Sequence, residues 1–388
     1  MHALIAAAVF ALTTTRTSGE TRVVRITSKI LGEERVVHVS LPLNYGVARR
    51  RYETIYLLDG HVRQFFDITV AAAAYDVIGD LLHDYATPPQ IVVGVDQIDR
   101  GADLGRNQEL FTRFLVEELV PYIDKEFRTN RYRTLIGHSL GGRFALTTFC
   151  RAPGVFPAVI AISAAGGDST SADAVTRCLS TAFNAPAATL RQLVLSAGDQ
   201  EPRVLQGMDR LRDFLRANAP AHWRWTTIQG AGLGHTDTPM ATIPPGIRFI
   251  HDKSVWEMPA ALADSVQFGR VGDPERTVET FYSNLSTRVG VPMTASLKWM
   301  LASTRVLIQR GDSAGADRAI RRLIASYPED LEAYGMASDL ALRRGDKSAA
   351  RQALNDALRM LGRLDFYDVY ERERKRKLIE NALLSISQ

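Results

Sequence analysis

Residues 134–142 read Thr-Leu-Ile-Gly-His-Ser-Leu-Gly-Gly, an apolar run that ends in a serine between glycines. The run over 134–137 reads as a strand, and the stretch 142–150 has helical spacing. Between them stands Gly137-His138-Ser139-Leu140-Gly141, the Gly-x-Ser-x-Gly pattern. A serine at the tip of a strand-to-helix turn is held in strained backbone geometry, with its hydroxyl exposed and a helix N-terminus beside it. Side chains two before and two after would collide, so glycines stand there. The strand before and the helix after supply the context that this motif requires.

Outward from this turn, β-rich runs alternate with helical ones. Segments 22–30 and 35–41 read as an antiparallel pair joined at Gly32. Runs 54–58 and 91–95 are apolar enough for strands buried on both faces, and 158–163, 192–197 and 224–228 read as further strands. Helical spacing covers 68–82, 108–127, 172–182 and 205–215. The pattern predicts an α/β fold with a doubly wound, mostly parallel sheet, in which ligands sit at the carboxyl ends of the strands.

Past residue 252 the strand pattern stops. Residues 256–290 contain Pro259, Gly269, Gly272 and Pro274 and read as a connecting region between a catalytic domain (21–255) and a helical region (291–388). In that last region Gly311-Asp312 recurs 34 residues on as Gly345-Asp346, and Ala316 recurs as Ala350. This period resembles two tetratricopeptide-like helix pairs.

The chain has 388 residues, 46% apolar and 23% charged, with a formal net charge of +4. That balance excludes disordered, collagen-like and coiled-coil classes and gives no basis for a nucleic-acid partner. The basic run from Arg372 to Lys377 is interleaved with Glu371 and Glu373 and reads as a solvated helix face. Two cysteines, Cys150 and Cys178, are too few for a disulfide scaffold, and no cluster with zinc-ligand spacing is present. Neither a metal nor an organic cofactor is expected. Residues 4–12 are apolar but too short to span a bilayer. They fit the core of a secretory signal within residues 1–20, which predicts a periplasmic or secreted protein, with a cytoplasmic one as the alternative.

A serine nucleophile needs a base, and the base needs an orienting acid. In doubly wound hydrolases the acid and then the histidine follow the serine along the chain. Among eight histidines, His222, His235 and His251 follow the late strands. His235 lies in a Gly-rich loop after the strand 224–228, at its carboxyl end, whereas His222 precedes that strand and His251 follows the next helix. The strand 192–197 ends in Gly198-Asp199-Gln200-Glu201, and either carboxylate suits the acid. Two backbone N–H groups should bind the developing oxyanion. Leu140 supplies one, as the residue after the nucleophile. The turn after Tyr56-Leu57-Leu58-Asp59-Gly60 supplies the other, at His61.

Taken together, these residues resemble the esterase family of α/β-hydrolases that includes enterochelin esterases, esterase D and the mycobacterial mycolyltransferases. The resemblance runs from about residue 26 to residue 250. It rests on Tyr-Leu-Leu-Asp-Gly at 56–60, Phe-Leu-Val-Glu-Glu-Leu-Val-Pro-Tyr-Ile-Asp-Lys-Glu-Phe at 114–127, Gly-His-Ser-Leu-Gly-Gly at 137–142 and Gly-Asp-Gln-Glu-Pro at 198–202. It implies that the acid stands three residues after Gly198, at Glu201, and it supports the His61 N–H. The loop 96–105 is shorter than is usual in the family's siderophore esterases, and Ala-Ala-Gly-Gly-Asp at 164–168 replaces their Ser-Pro-aromatic stretch.

The reading is a serine carboxylic-ester hydrolase acting on small-molecule esters. One alternative is a siderophore lactone esterase with Arg63, Arg100 and Arg106 lining a cationic pocket. A catalytically inert binding module is another. The helical region is expected to pack beside the catalytic domain and to support a homodimer, without stable membrane insertion.

Overall fold

The computed structural model describes residues 19–74, 87–164, 169–184, 189–365 and 367–387. The apolar stretch 4–12 lies outside these residues, as do residues 75–82 of the helix expected over 68–82.

An eight-stranded sheet forms the centre, in the order β1-β2-β4-β3-β5-β6-β7-β8. β1 (Thr21–Ser28) and β2 (Glu33–Ser40) make the antiparallel hairpin, turning through Gly32 at φ +72°. β2 also runs antiparallel to β4 (Gln90–Val95). From there β3 (Tyr52–Leu58), β5 (Thr129–His138), β6 (Ala158–Ile162), β7 (Arg191–Gly198) and β8 (Trp223–Gly230) are all parallel. Every residue of β3, β4, β6 and β7 is buried, as unbroken apolar runs predict.

The pleat sends alternate side chains to two cores. Tyr56, Leu58, Val93, Leu135, Val159 and Leu193 face one; Ile55, Leu57, Val92, Ile136, Ile160 and Val194 face the other. Helices α1 (Arg63–Ala73) and α7 (Thr238–Ile250) cover the second face. On the first lie α2 (Gln108–Arg113), α3 (Val120–Glu126), α4 (Leu140–Arg151), α5 (Ser169–Phe183) and α6 (Pro202–Asn218). The helix expected over 108–127 is interrupted: a wider π turn, Phe114–Leu119, separates α2 from α3. That turn carries Glu118 to the hairpin, where it accepts from the Lys29 N–H at 2.9 Å. Cys150 and Cys178 are both free thiols.

Residues 256–290, read as a connection, are largely helical. After the short α8 (Lys253–Trp256), Pro259 opens α9 (Ala260–Gln267), and Pro274 opens α10 (Pro274–Val289) with Asp273 accepting from the Arg276 N–H. Gly269 and Gly290, at φ +64° and +78°, end those helices. The glycines and prolines there start and stop helices. Four more helices follow as pairs, α11 (Leu297–Gln309) with α12 (Ser313–Ser326) and α13 (Leu331–Arg343) with α14 (Lys347–Leu361), and α15 (Val369–Ser387) ends the chain. The 34-residue period has a structural counterpart. Gly311 and Gly345 take φ +74° and +77°, Asp312 and Asp346 cap the next helix, and Ala316 and Ala350 are wholly buried.

The second core does not stop at the sheet. It runs from Ile55 and Leu57 through α7 into Leu301, Leu323 and Leu340 of the terminal helices. A backbone bond from the Leu190 N–H to the Arg288 carbonyl, 2.8 Å, ties the entry of β7 to the end of α10. Among the described residues no helix is long and apolar enough to cross a membrane.

Candidate active site

β5 delivers His138 to the carboxyl edge of the sheet, and α4 begins two residues later. Ser139 between them sits at φ +58°, ψ −118°, a backbone conformation that a side-chain-bearing residue rarely adopts. Its N–H donates to the Ile162 carbonyl at 2.8 Å, which anchors the turn on β6. The glycines have unequal duties. A Cβ on Gly137 would lie 2.2 Å from the Gly141 carbonyl oxygen, and one on Gly142 would lie 2.8 Å from that of Ile162. A Cβ on Gly141 would come no nearer than 3.3 Å, to Asp59 Oδ2. The tightest constraints thus fall at Gly137 and at Gly142, one residue beyond the motif.

The Asp59 turn packs against this elbow. Asp59 is at φ +57°, and its N–H donates to Gln97 Oε1 at 2.9 Å. A Cβ on Gly60 would strike the Gly94 backbone at 2.4 Å, so only glycine lets β3 leave the sheet beside β4. The Gly60 and Val62 N–H groups are bound to the carbonyls of Val95 and Asp59, while the His61 N–H has no partner among the described residues. Leu140 opens α4, so its N–H has no acceptor within the helix.

Arg100 joins the two turns. Its Nε donates to Asp59 Oδ1 at 2.6 Å, and its Nη2 donates to Asp59 Oδ2 and to the His138 carbonyl, each at 3.0 Å. The other two arginines expected around a cationic pocket are exposed and paired locally, Arg63 with Asp67 and Arg106 with Asp99. None of the three is an uncommitted cation.

Glu201 stands just before α6, past the end of β7, with its side chain free of that helix, and Pro202 is the first residue of the helix. Its Oε2 accepts from His235 Nδ1 at 2.6 Å. Its Oε1 accepts from Ser163 Oγ (2.8 Å), Thr238 Oγ1 (3.0 Å) and the Gly198 N–H (3.2 Å). Burial pushes this carboxyl up, but the bonds from His235, Ser163, Gly198 and Thr238 outweigh it and hold the group below the ordinary range. Asp199, the other carboxylate the spacing allowed, turns away. Both its oxygens accept from the Gly232 N–H at 2.9 Å, pinning the loop that carries His235. His222 stands at the start of β8 and His251 is buried at the far end of the sheet, so neither joins this site.

Sequence reasoning did not find Ser163, Thr238 or His138 as members of this cluster. The His138 ring lies 4.5 Å from that of His235 and packs edge-on to Phe65. Burial, then the neighbouring His235, pushes the His138 imidazole down to about 4, so it stays neutral beside His235. Ser163, at φ +47°, is a second strained residue at a strand's carboxyl end. A lone serine after an apolar run carries no signal of that.

The chain resembles an IroE-like serine hydrolase of known structure from Shewanella oneidensis, with a TM-score of 0.59 and 20% identity over 78% of this chain and 98% of that one. Two curated relatives match shorter stretches. The uncharacterized protein YjcH of Bacillus subtilis is 32% identical over 142 residues, 34% of this chain and 57% of YjcH. An endo-1,4-beta-xylanase/feruloyl esterase of Xylanibacter ruminicola is 29% identical over 149 residues, 36% of this chain and 20% of that protein. The chain thus spans less than two thirds of the length of either curated relative. The model of the family described as "Putative esterase" matches residues 28–237, more than half of the chain. With its mostly parallel sheet, its elbow at Ser139 and this match, the chain is a member of that family and has the α/β-hydrolase fold.

Proposed function

We propose that the protein is a serine carboxylic-ester hydrolase in which Ser139 is the nucleophile, His235 the base and Glu201 the orienting acid. The observation that carries this reading is the 2.6 Å bond between His235 and Glu201 in the same strand-end cluster as the strained Ser139 elbow. His235 Nδ1–H donates to Glu201, which leaves Nε2 to take the proton as Ser139 Oγ attacks the ester carbonyl. The N–H groups of Leu140 and His61 receive the charge on the carbonyl oxygen. Collapse expels the alcohol, which takes the proton back from Nε2. Water, deprotonated in turn by His235, then splits the acyl-enzyme and releases the acid.

Small, uncharged esters suit the site better than a polyanionic lactone, because Arg63, Arg100 and Arg106 are held by Asp67, Asp59 and Asp99. The repeated caps at Asp312 and Asp346 support a tetratricopeptide-like reading of the terminal helices. Hydrolysis of nitrophenyl esters from acetate to decanoate tests the assignment. Wild type should turn over the short chains, and Ser139→Ala should lose at least about 10⁴-fold in kcat. A folded Ser139→Ala protein with undiminished turnover would refute it.

A further inference from the structure

A cavity of about 230 Å³ lies at the end of the sheet opposite the Ser139 elbow, between the start of β3 and the helical region. Its walls are mostly apolar and aromatic, with Trp256, Tyr282, Leu285 and Leu297 among them. Arg50, Arg51, Asn130, Lys253 and Glu257 bring polar groups into that lining. Tyr52 Oη, Glu53 Oε2, His251 Nδ1 and Ser296 Oγ, four more lining atoms, are buried and meet no partner in full hydrogen-bond geometry among the described residues, although Arg50, Asn130 and Tyr282 stand close to Tyr52, Glu53 and Ser296. Glu53 Oε2 and His251 Nδ1 are 3.1 Å apart without meeting hydrogen-bond geometry, and the two residues are 5% and 4% exposed. Buried polar atoms are nearly always paired, so four orphans around one cavity point to an occupant.

The chemistry narrows the occupant. An empty cavity of about 150 Å³ already admits benzene, so this one has room for a substituted ring. Burial pushes Glu53 up to about 8 and His251 down to about 3, leaving an uncharged acid and an uncharged imidazole side by side. Together they offer a donor and an acceptor. One wall already holds a cation: the Arg50 guanidinium lies over the rings of Tyr52 and Tyr327, 5.3 and 5.4 Å from their centres, and pairs with Glu329.

We propose that this cavity is a second ligand site, separate from the Ser139 site, for a small uncharged molecule with one aromatic ring and one hydroxyl or amide group. The polar group sits on Glu53 and His251, and the ring lies against Trp256 and Tyr282.

The test is calorimetric titration of the full chain with phenol and benzamide, beside benzylamine and benzoate. Saturable binding of phenol or benzamide with Kd below about 1 mM is expected, since a well-buried fragment of this size can reach that affinity. Ser139→Ala should bind equally well. Glu53→Gln, which keeps a donor and an acceptor, should stay within threefold, and Glu53→Leu should lose at least tenfold. Ser296→Leu fills the cavity without removing a helix cap, because the Ser296 side chain caps nothing. It should abolish binding even if Glu53→Leu fails to fold. The proposal is overturned if neither phenol nor benzamide saturates, if Ser296→Leu binds like wild type, if benzylamine or benzoate binds more tightly, or if a crystal soaked in phenol holds only water there.

Discussion

Two glutamate–histidine pairs stand at opposite ends of one sheet, and they behave in opposite ways. At the carboxyl end, Glu201 receives four hydrogen bonds, and its carboxyl is held below the ordinary range although it is buried. At the amino end, Glu53 lies beside His251 with one oxygen unpaired, and its carboxyl is pushed up to about 8. Burial acts on both. What separates them is the number of donors that the strand ends provide. Where β6, β7 and the His235 loop converge, hydroxyls and a backbone N–H point at one carboxylate. Where β3 begins, aromatic and aliphatic walls leave Asn130 as the donor beside Glu53. A carboxylate that stays charged can orient an imidazole through a full catalytic cycle; an uncharged carboxyl can only exchange hydrogen bonds.

That contrast can be broken at the first pair by Glu201→Gln. The amide keeps the shape but lets His235 settle in the wrong tautomer, so kcat/KM for a nitrophenyl ester should fall about 10³–10⁴-fold with the fold intact by circular dichroism. A loss under tenfold would mean that the charge of Glu201 is dispensable.

Arg100→Met tests whether the joint between the two turns matters as much as the pair itself. It leaves the Asp59 carboxylate, 4% exposed, without its counter-charge and frees the His138 carbonyl. A fall in kcat of about 10–100-fold is expected, with KM less affected, because a small displacement of oxyanion donors is costly. Adding Asp59→Asn should restore part of the melting temperature. A variant that loses stability but keeps kcat would reduce Arg100 to a structural role.

At the second pair the expected signature is in stability. The folded chain keeps a proton on Glu53 that the unfolded chain releases above its ordinary value of 4.5. That stabilisation is fully present below 4.5 and is lost as pH rises through about 8. His251, pushed down by burial, works the other way, losing stability as pH falls from 6.5 toward about 3. Between pH 7 and 8.5 the histidine is silent. There Glu53→Gln should gain about 1 kcal/mol on wild type in urea unfolding. A pH-independent difference would show that Glu53 is already ionised.

A control outside both pairs completes the series. Asp346→Ala removes the cap bond to the Ala349 N–H and should cost about 0.5–1 kcal/mol without touching turnover.

The elbow was legible because a serine in that turn needs glycines at fixed spacing, and unbroken apolar runs announced the strands. The carboxylate that bonds His235 was not: Gly198-Asp199-Gln200-Glu201 offers two, and what turns one of them away is the Gly232 N–H, more than thirty residues downstream. The family resemblance, not the spacing, pointed to Glu201. The second pair had no signal at all, since Glu53 and His251 are ordinary residues that meet only when α7 folds back across the sheet. The helices within 256–290 were hidden for a local reason: Pro259, Gly269 and Pro274 are the residues that start and stop helices as well as those that separate domains.

The recurrence of a left-handed glycine, an aspartate cap and a buried alanine at Gly311 and Gly345 has a consequence for how such a chain can change length. A unit that begins and ends in the same backbone state can be duplicated or deleted whole without altering the junctions on either side. Gain of one 34-residue block would carry α15 outward by one helix pair and leave the hydrolase as it is. Gain of any other number of residues would face the wrong side chains inward. The terminal helices can therefore gain or lose a whole block without remaking either junction.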